Sequence, residues 1–110
     1  MKHYTTQQEA IIDLHQRGFT SDFHLFGNDL LWIQEKIFVR AGEFSILESH
    51  RIDGTTKNGA GIILFGITVL SYRVKGILIN HYTSYTTQTP PVILKKLKES
   101  RLYTPEYNYA

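Results

Sequence analysis

Cysteine is absent from this chain of 110 residues. That excludes disulfides, thiol catalysis and cysteine-ligated zinc sites, and it suits a cytoplasmic protein. A strong excess of one charge sign is missing too. Twelve Lys and Arg stand against ten Asp and Glu, for a net charge of +2. So small a surplus leaves no electrostatic footprint for nucleic acid. Long hydrophobic runs are lacking. The most apolar stretch, 61–69, is soon followed by Arg73 and Lys75, well short of the roughly 20 apolar residues of a membrane span. The opening residues, Met1-Lys2-His3-Tyr4-Thr5-Thr6, carry no apolar signal-peptide core. There is no internal repeat and no low-complexity run. No Walker-type or other Gly-rich phosphate motif occurs, and no H-E-x-x-H, so neither a metal nor a cofactor is expected.

What is present suffices for one domain, 1–110, with a core at 4–85 and a C-terminal helix and tail at 90–110. A chain this long buries roughly two thirds of its unfolded surface. The organising stretch is 61–85. Ile62 and Leu64 alternate with Ile63, Phe65, Ile67 and Val69, so both faces of this strand want burial. Ser71-Tyr72-Arg73 turns the chain, and 74–85 returns as a second strand. One of its faces carries Ile77, Ile79, His81 and Tyr85; the other carries Val74, Leu78 and Tyr82. Gly76 inside it marks a bulge or a close backbone approach.

Upstream, Thr6 and Glu9 form a capping box for a helix over about 6–17. Ala10, Ile11 and Leu14 give it one apolar stripe, and Gly18 supplies a left-handed stop on which Phe19 packs back. Short strands follow at 22–26, 30–34 and 37–40, the last two separate or continuous through Glu35-Lys36. Ala41-Gly42 turns into a longer strand at 44–52, and 53–59 reads as a loop. After the polar linker 86–89, Pro90-Pro91 opens a short helix to about Arg101, and a tail runs over 102–110. The expectation is an α+β fold: an N-terminal helix, a mostly antiparallel sheet of about five strands and a short C-terminal helix. The first helix covers one sheet face. The second is covered by the C-terminal helix or by another copy of the protein.

Several residue groups, Tyr4-Thr5-Thr6, Glu9-Ala10-Ile11, Asp13-Leu14, Arg17-Gly18-Phe19-Thr20, Asp22-Phe23, Glu43-Phe44, Arg51 with Asp53-Gly54, and Lys75-Gly76-Ile77-Leu78, form a pattern. Over about residues 4–85 the chain resembles a family of small bacterial proteins often labelled phosphoribosylpyrophosphate synthetase. The label implies pyrophosphate transfer from ATP to ribose 5-phosphate. The residues do not carry that chemistry. Ile52-Asp53-Gly54-Thr55-Thr56 offers one carboxylate where paired acidic residues are needed, and it leads into a strand, so no helix N-terminus waits for a phosphate.

The candidate site residues are Glu48, His50, Arg51, Asp53 and Lys75. Glu48 and His50, at i and i+2, share a face with Phe44, Ile46 and Ile52 if their strand is regular. A carboxylate beside an imidazole tunes a general base; alternatively the two form a structural pair, or a bulge at Leu47 re-aims both. Arg51, Lys57, Arg73 and Lys75 would suit an anion or be solvated charges at strand ends. His3, His15, His24, His50 and His81 show no metal-ligand spacing. Lys95, Lys96, Lys98 and Arg101 form a basic helix face, marginal for nucleic acid or a membrane surface. Trp32, Tyr72, Tyr82 and Tyr85 would serve as a stacking platform or as cross-strand pairs. With no catalytic motif, the expected function is protein association, foremost as a homodimer, or with another protein. A small-ligand or anion pocket near His50, Arg51, Asp53 and Lys75 is the alternative.

Overall fold

The computed structural model describes residues 4–53, 61–82, 91, 93, 95 and 96. Its first element is helix α1 (Gln7–Gln16). Thr6 caps it in extended conformation, its hydroxyl accepting from the Glu9 N–H at 3.1 Å. The Glu9 carboxylate accepts from the Thr5 hydroxyl at 3.1 Å. Gly18 stops the helix with φ +99°. The N–H of Phe19 reaches the Leu14 carbonyl and that of Gly18 reaches His15, a Schellman ending that satisfies two orphan carbonyls. Phe19 is thereby folded back and buried.

Six strands follow: β1 (Ser21–Phe26), β2 (Asp29–Trp32), β3 (Ile37–Val39), β4 (Phe44–Asp53), β5 (Gly61–Val69) and β6 (Val74–Tyr82). β2 and β3 are separate because Lys36 takes a left-handed φ of +55° between them. A 3-10 turn at Ala41–Glu43 precedes β4, and another at Leu70–Tyr72, with Arg73 at φ +53°, closes the β5–β6 hairpin. The sheet order is β3-β2-β1-β6-β5-β4.

The sheet has six strands where about five were expected, and it is mostly antiparallel, with one parallel pairing that makes it mixed. β1–β2–β3 and β4–β5–β6 are each antiparallel meanders, as short connections require. They join side by side through β1 and β6, which run parallel over Ser21–Phe23 and Gly76–Leu78. Connection length governs pairing within each meander and says nothing of which edges then meet.

The sheet also has to curl. β3 and β4 lie at opposite edges, five strand spacings apart, about 24 Å if flat. Yet Val39 and Phe44 are joined by five peptide steps, which span at most about 18 Å. Twist and curl bring the edges together round one interior. Phe23, Leu30, Val39, Phe44, Ile46, Phe65 and Leu78, drawn from all six strands, pack there in a single cluster. Fully burying side chains of this size contributes about 2 kcal/mol each.

The outer face of β4–β6 carries the second cluster. Ala10 and Leu14 of α1 pack with Phe19, Ile52, Ile62, Leu64 and Ile77. The two faces of β5 are divided as alternation requires, with Ile62 and Leu64 outward and Ile63, Phe65, Ile67 and Val69 inward. Ile93 is fully buried in the interior cluster, and Lys96 lies over the Phe44 ring with Nζ 4.9 Å from its centroid. Pro91, Ile93, Lys95 and Lys96 are helical, and Ile93 helps cover the interior face. The other residues of the expected C-terminal helix, the tail 102–110, the linker 86–89 and the loop 54–59 lie outside the described residues.

Gly76 sits where the two meanders touch. A Cβ there would meet the Ser21 carbonyl oxygen at 2.4 Å and Phe23 Cε2 at 2.6 Å. Only glycine lets the backbones approach so closely. Gly76→Ala is expected to destabilise the protein by about 3 kcal/mol, measured by urea denaturation. A loss under about 0.5 kcal/mol would mean that the two meanders are not joined in this way.

Candidate functional site

The feature that builds the site is a β-bulge. The β4–β5 register shifts between Ile46 and Glu48, leaving Leu47 without a partner on β5. Without it, Phe44, Ile46, Glu48, His50 and Ile52 would share one face. With it, Phe44 and Ile46 enter the interior, whereas Ile52 turns outward to the helix side. Glu48 and His50 turn outward with Ile52. The regular-strand grouping is therefore corrected, and the alternative of a bulge at Leu47 is what forms.

On the outer face Glu48 lies under the C-terminal end of α1. Its carboxylate accepts from Arg17 Nη1 at 2.8 Å and Nη2 at 2.6 Å, a bidentate pair. His50, buried, has Nε2 2.7 Å from the same carboxylate. Arg17 Nε also donates to Asp13 at 3.1 Å, the i, i+4 partner on α1. The Tyr4 hydroxyl donates to Asp13 and accepts from Arg17 Nη2 at 3.3 Å. The Tyr4 ring meets the His50 ring edge-on, with centroids 4.8 Å apart. Opposite Glu48 stands Gly66. A Cβ there would lie 2.9 Å from both Glu48 Cγ and Phe19 Cε1, so glycine leaves the room through which Glu48 reaches the helix.

Lys75 joins from β6. Its Nζ donates to the Arg17 carbonyl at 3.2 Å and lies 4.6 Å from the centroid of the Phe19 ring. A cation at a helix C-terminus is favourable to the dipole. Of the five residues singled out by sequence, the structure thus groups Glu48, His50 and Lys75. Arg51, next to His50 on an alternating strand, is exposed on the opposite face. It pairs with Ile63 on β5, whereas Lys75 pairs with Thr68. Five residues along a strand separate them by about 17 Å, so no cation cluster forms between them. Asp53 pairs with Gly61 through the backbone; its side chain, Lys57 and Thr55-Thr56 lie outside the described residues. Sequence reading missed Tyr4, Asp13, Arg17 and Gly66 as members. Only the Asp13–Arg17 spacing signalled any of them.

The electrostatics follow from these contacts. The Arg17 hydrogen bonds hold the Glu48 carboxyl below its usual value against burial, with His50 adding to the effect. Arg17 is pushed up, chiefly by Glu48. Burial pushes the Tyr4 hydroxyl up, and its hydrogen bond to Asp13 adds to this. A general base working near neutrality needs its carboxylate shifted upward; Glu48 is shifted the other way and is occupied on both oxygens. The arrangement ties α1 and Tyr4 to the bulged edge strand. Among the described residues, no group of three His, Asp or Glu side chains is placed to hold a metal ion, and no helix is long and apolar enough to cross a membrane. Compared with known proteins, the chain matches no family model, no curated protein and no solved structure.

Because Glu48 titrates below its unfolded value of about 4.3, its contribution is present above that pH and is lost as pH falls through the folded value. Glu48→Gln is expected to cost about 1–2 kcal/mol at pH 7. It should also make the fall in stability between pH 5 and 3 shallower than in the parent, read by urea denaturation across that range. Parallel acid limbs in the two proteins would rule out the linkage.

Proposed function

We propose that the protein acts by association with a second copy of itself, with no chemistry of its own. The observation that supports this is the outer face of β1–β3. α1 lies over β5 and β6, and β1–β3 continue beyond it. Phe26 is 64% exposed, Phe38 55% and Ile33 37%. Phe26 and Phe38 stack edge-to-face with centroids 5.6 Å apart. Opposite Phe38 on β2 is Leu31, half-buried. Two adjoining exposed phenylalanines beside Leu31 and Ile33 make a patch of the kind that marks protein contact sites. The surrounding charges, Asp29, Glu35, Lys36 and Arg40, have both signs, so two copies of the face meet without net repulsion.

The face differs from the one that the hairpin pattern suggested. Both sides of β5 find cover within the chain, from α1 on one side and from the interior cluster with Ile93 on the other. Native mass spectrometry and light scattering at micromolar concentration test the reading. A dimer is expected in the parent, with Phe26→Asp plus Phe38→Asp giving a folded monomer. A parent that stays monomeric, or a double variant that stays dimeric, would sink it.

A further inference from the structure

We infer that the crevice between β1 and β6 binds a small flat molecule with N–H donors on an apolar ring, an aromatic amine or amidine, and rejects anions of the same shape. The two strands pair over only three residues, Ser21–Phe23 with Gly76–Leu78. Beyond them the pairing stops, and residues of both strands line a crevice of about 600 Å³. That volume is within the range of small-molecule sites. Ile33, Ile77 and Ile79 supply apolar walls. His24 from β1 and His81 from β6, both exposed, stand on the same outer face by strand alternation, and Asn80 adds a carboxamide.

Asp22 is the fixed group. Gln34 Nε2 donates to its carboxylate at 2.7 Å, while the Asp22 N–H donates to Gln34 Oε1 at 2.9 Å. This two-point clamp fixes a carboxylate in the lining of a crevice whose walls are part polar and part isoleucine. The described residues lining the crevice include this carboxylate and no lysine or arginine. A phosphate or carboxylate ligand would therefore meet repulsion at Asp22, with no lysine or arginine among the described lining residues to offset it. An N–H donor on a flat ring meets an acceptor and isoleucine walls.

Benzamidine and benzoate, equal in shape and opposite in charge, are the probes. The readout is the ring resonances of His24 and His81 in the full-length ¹³C-histidine-labelled protein, with His15 on α1 as internal control. Benzamidine is expected to shift both crevice histidines saturably and leave His15 unmoved, while benzoate shifts none. Asp22→Asn should weaken benzamidine about tenfold, and His81→Ala, an exposed position, should weaken it without altering the circular dichroism. Absent or unsaturable shifts would overturn the inference. So would benzoate binding as tightly as benzamidine, or an affinity unchanged in both variants.

Discussion

The structure depends on a three-residue seam. β1 and β6 pair over Ser21–Phe23 and Gly76–Leu78, and this pairing turns two separate meanders into one sheet. It exists because Gly76 has no side chain to strike the Ser21 carbonyl. The seam sets the strand order, and the strand order places β3 and β4 at opposite edges of a sheet whose chain joins them by a short turn. Curling follows from that mismatch, and the interior core follows from the curl. Beyond the short seam the two strands line a crevice instead of continuing the ladder.

A second constraint operates on the outer face. A single extra residue at Leu47 exchanges the faces of β4. Its first half feeds the interior with Phe44 and Ile46; its second half offers Glu48, His50 and Ile52 to the helix side. Polar groups that a regular strand would have set beside core phenylalanine instead meet Arg17, Asp13 and Tyr4. Each has a partner in the network, which is the condition for keeping charge next to an apolar cluster without a large desolvation penalty. Gly66 repeats the logic of Gly76 in side-chain form, giving Glu48 and Phe19 the space they share. Both Glu48 oxygens are taken up within the network. A group poised for catalysis would look different, with an open acceptor and a carboxyl shifted upward.

The outer face of β1–β3 lies outside both core clusters. α1 is too narrow to cover six strands, so the outer face of β1–β3 keeps Phe26 and Phe38 in solvent. The crevice next to it is bounded, among the described residues, by two imidazoles, a carboxamide and one clamped carboxylate.

Sequence by itself determined the local elements. The Thr6 cap, the Gly18 stop, the two-sided burial of β5 and the face assignments of β6 were all legible, because caps, turns and strand alternation act between residues close in the chain. The candidate site was legible in part. Glu48 with His50 came from an i, i+2 spacing, and the bulge was only one of the alternatives. What the tertiary structure decided was everything across the chain: Arg17 reaching Glu48, Lys75 meeting the end of α1, Arg51 parted from His50, and the parallel seam. These rest on backbone clearances at Gly66 and Gly76 and on the β4 register, quantities fixed only when strands distant in sequence are brought within a few ångströms of one another.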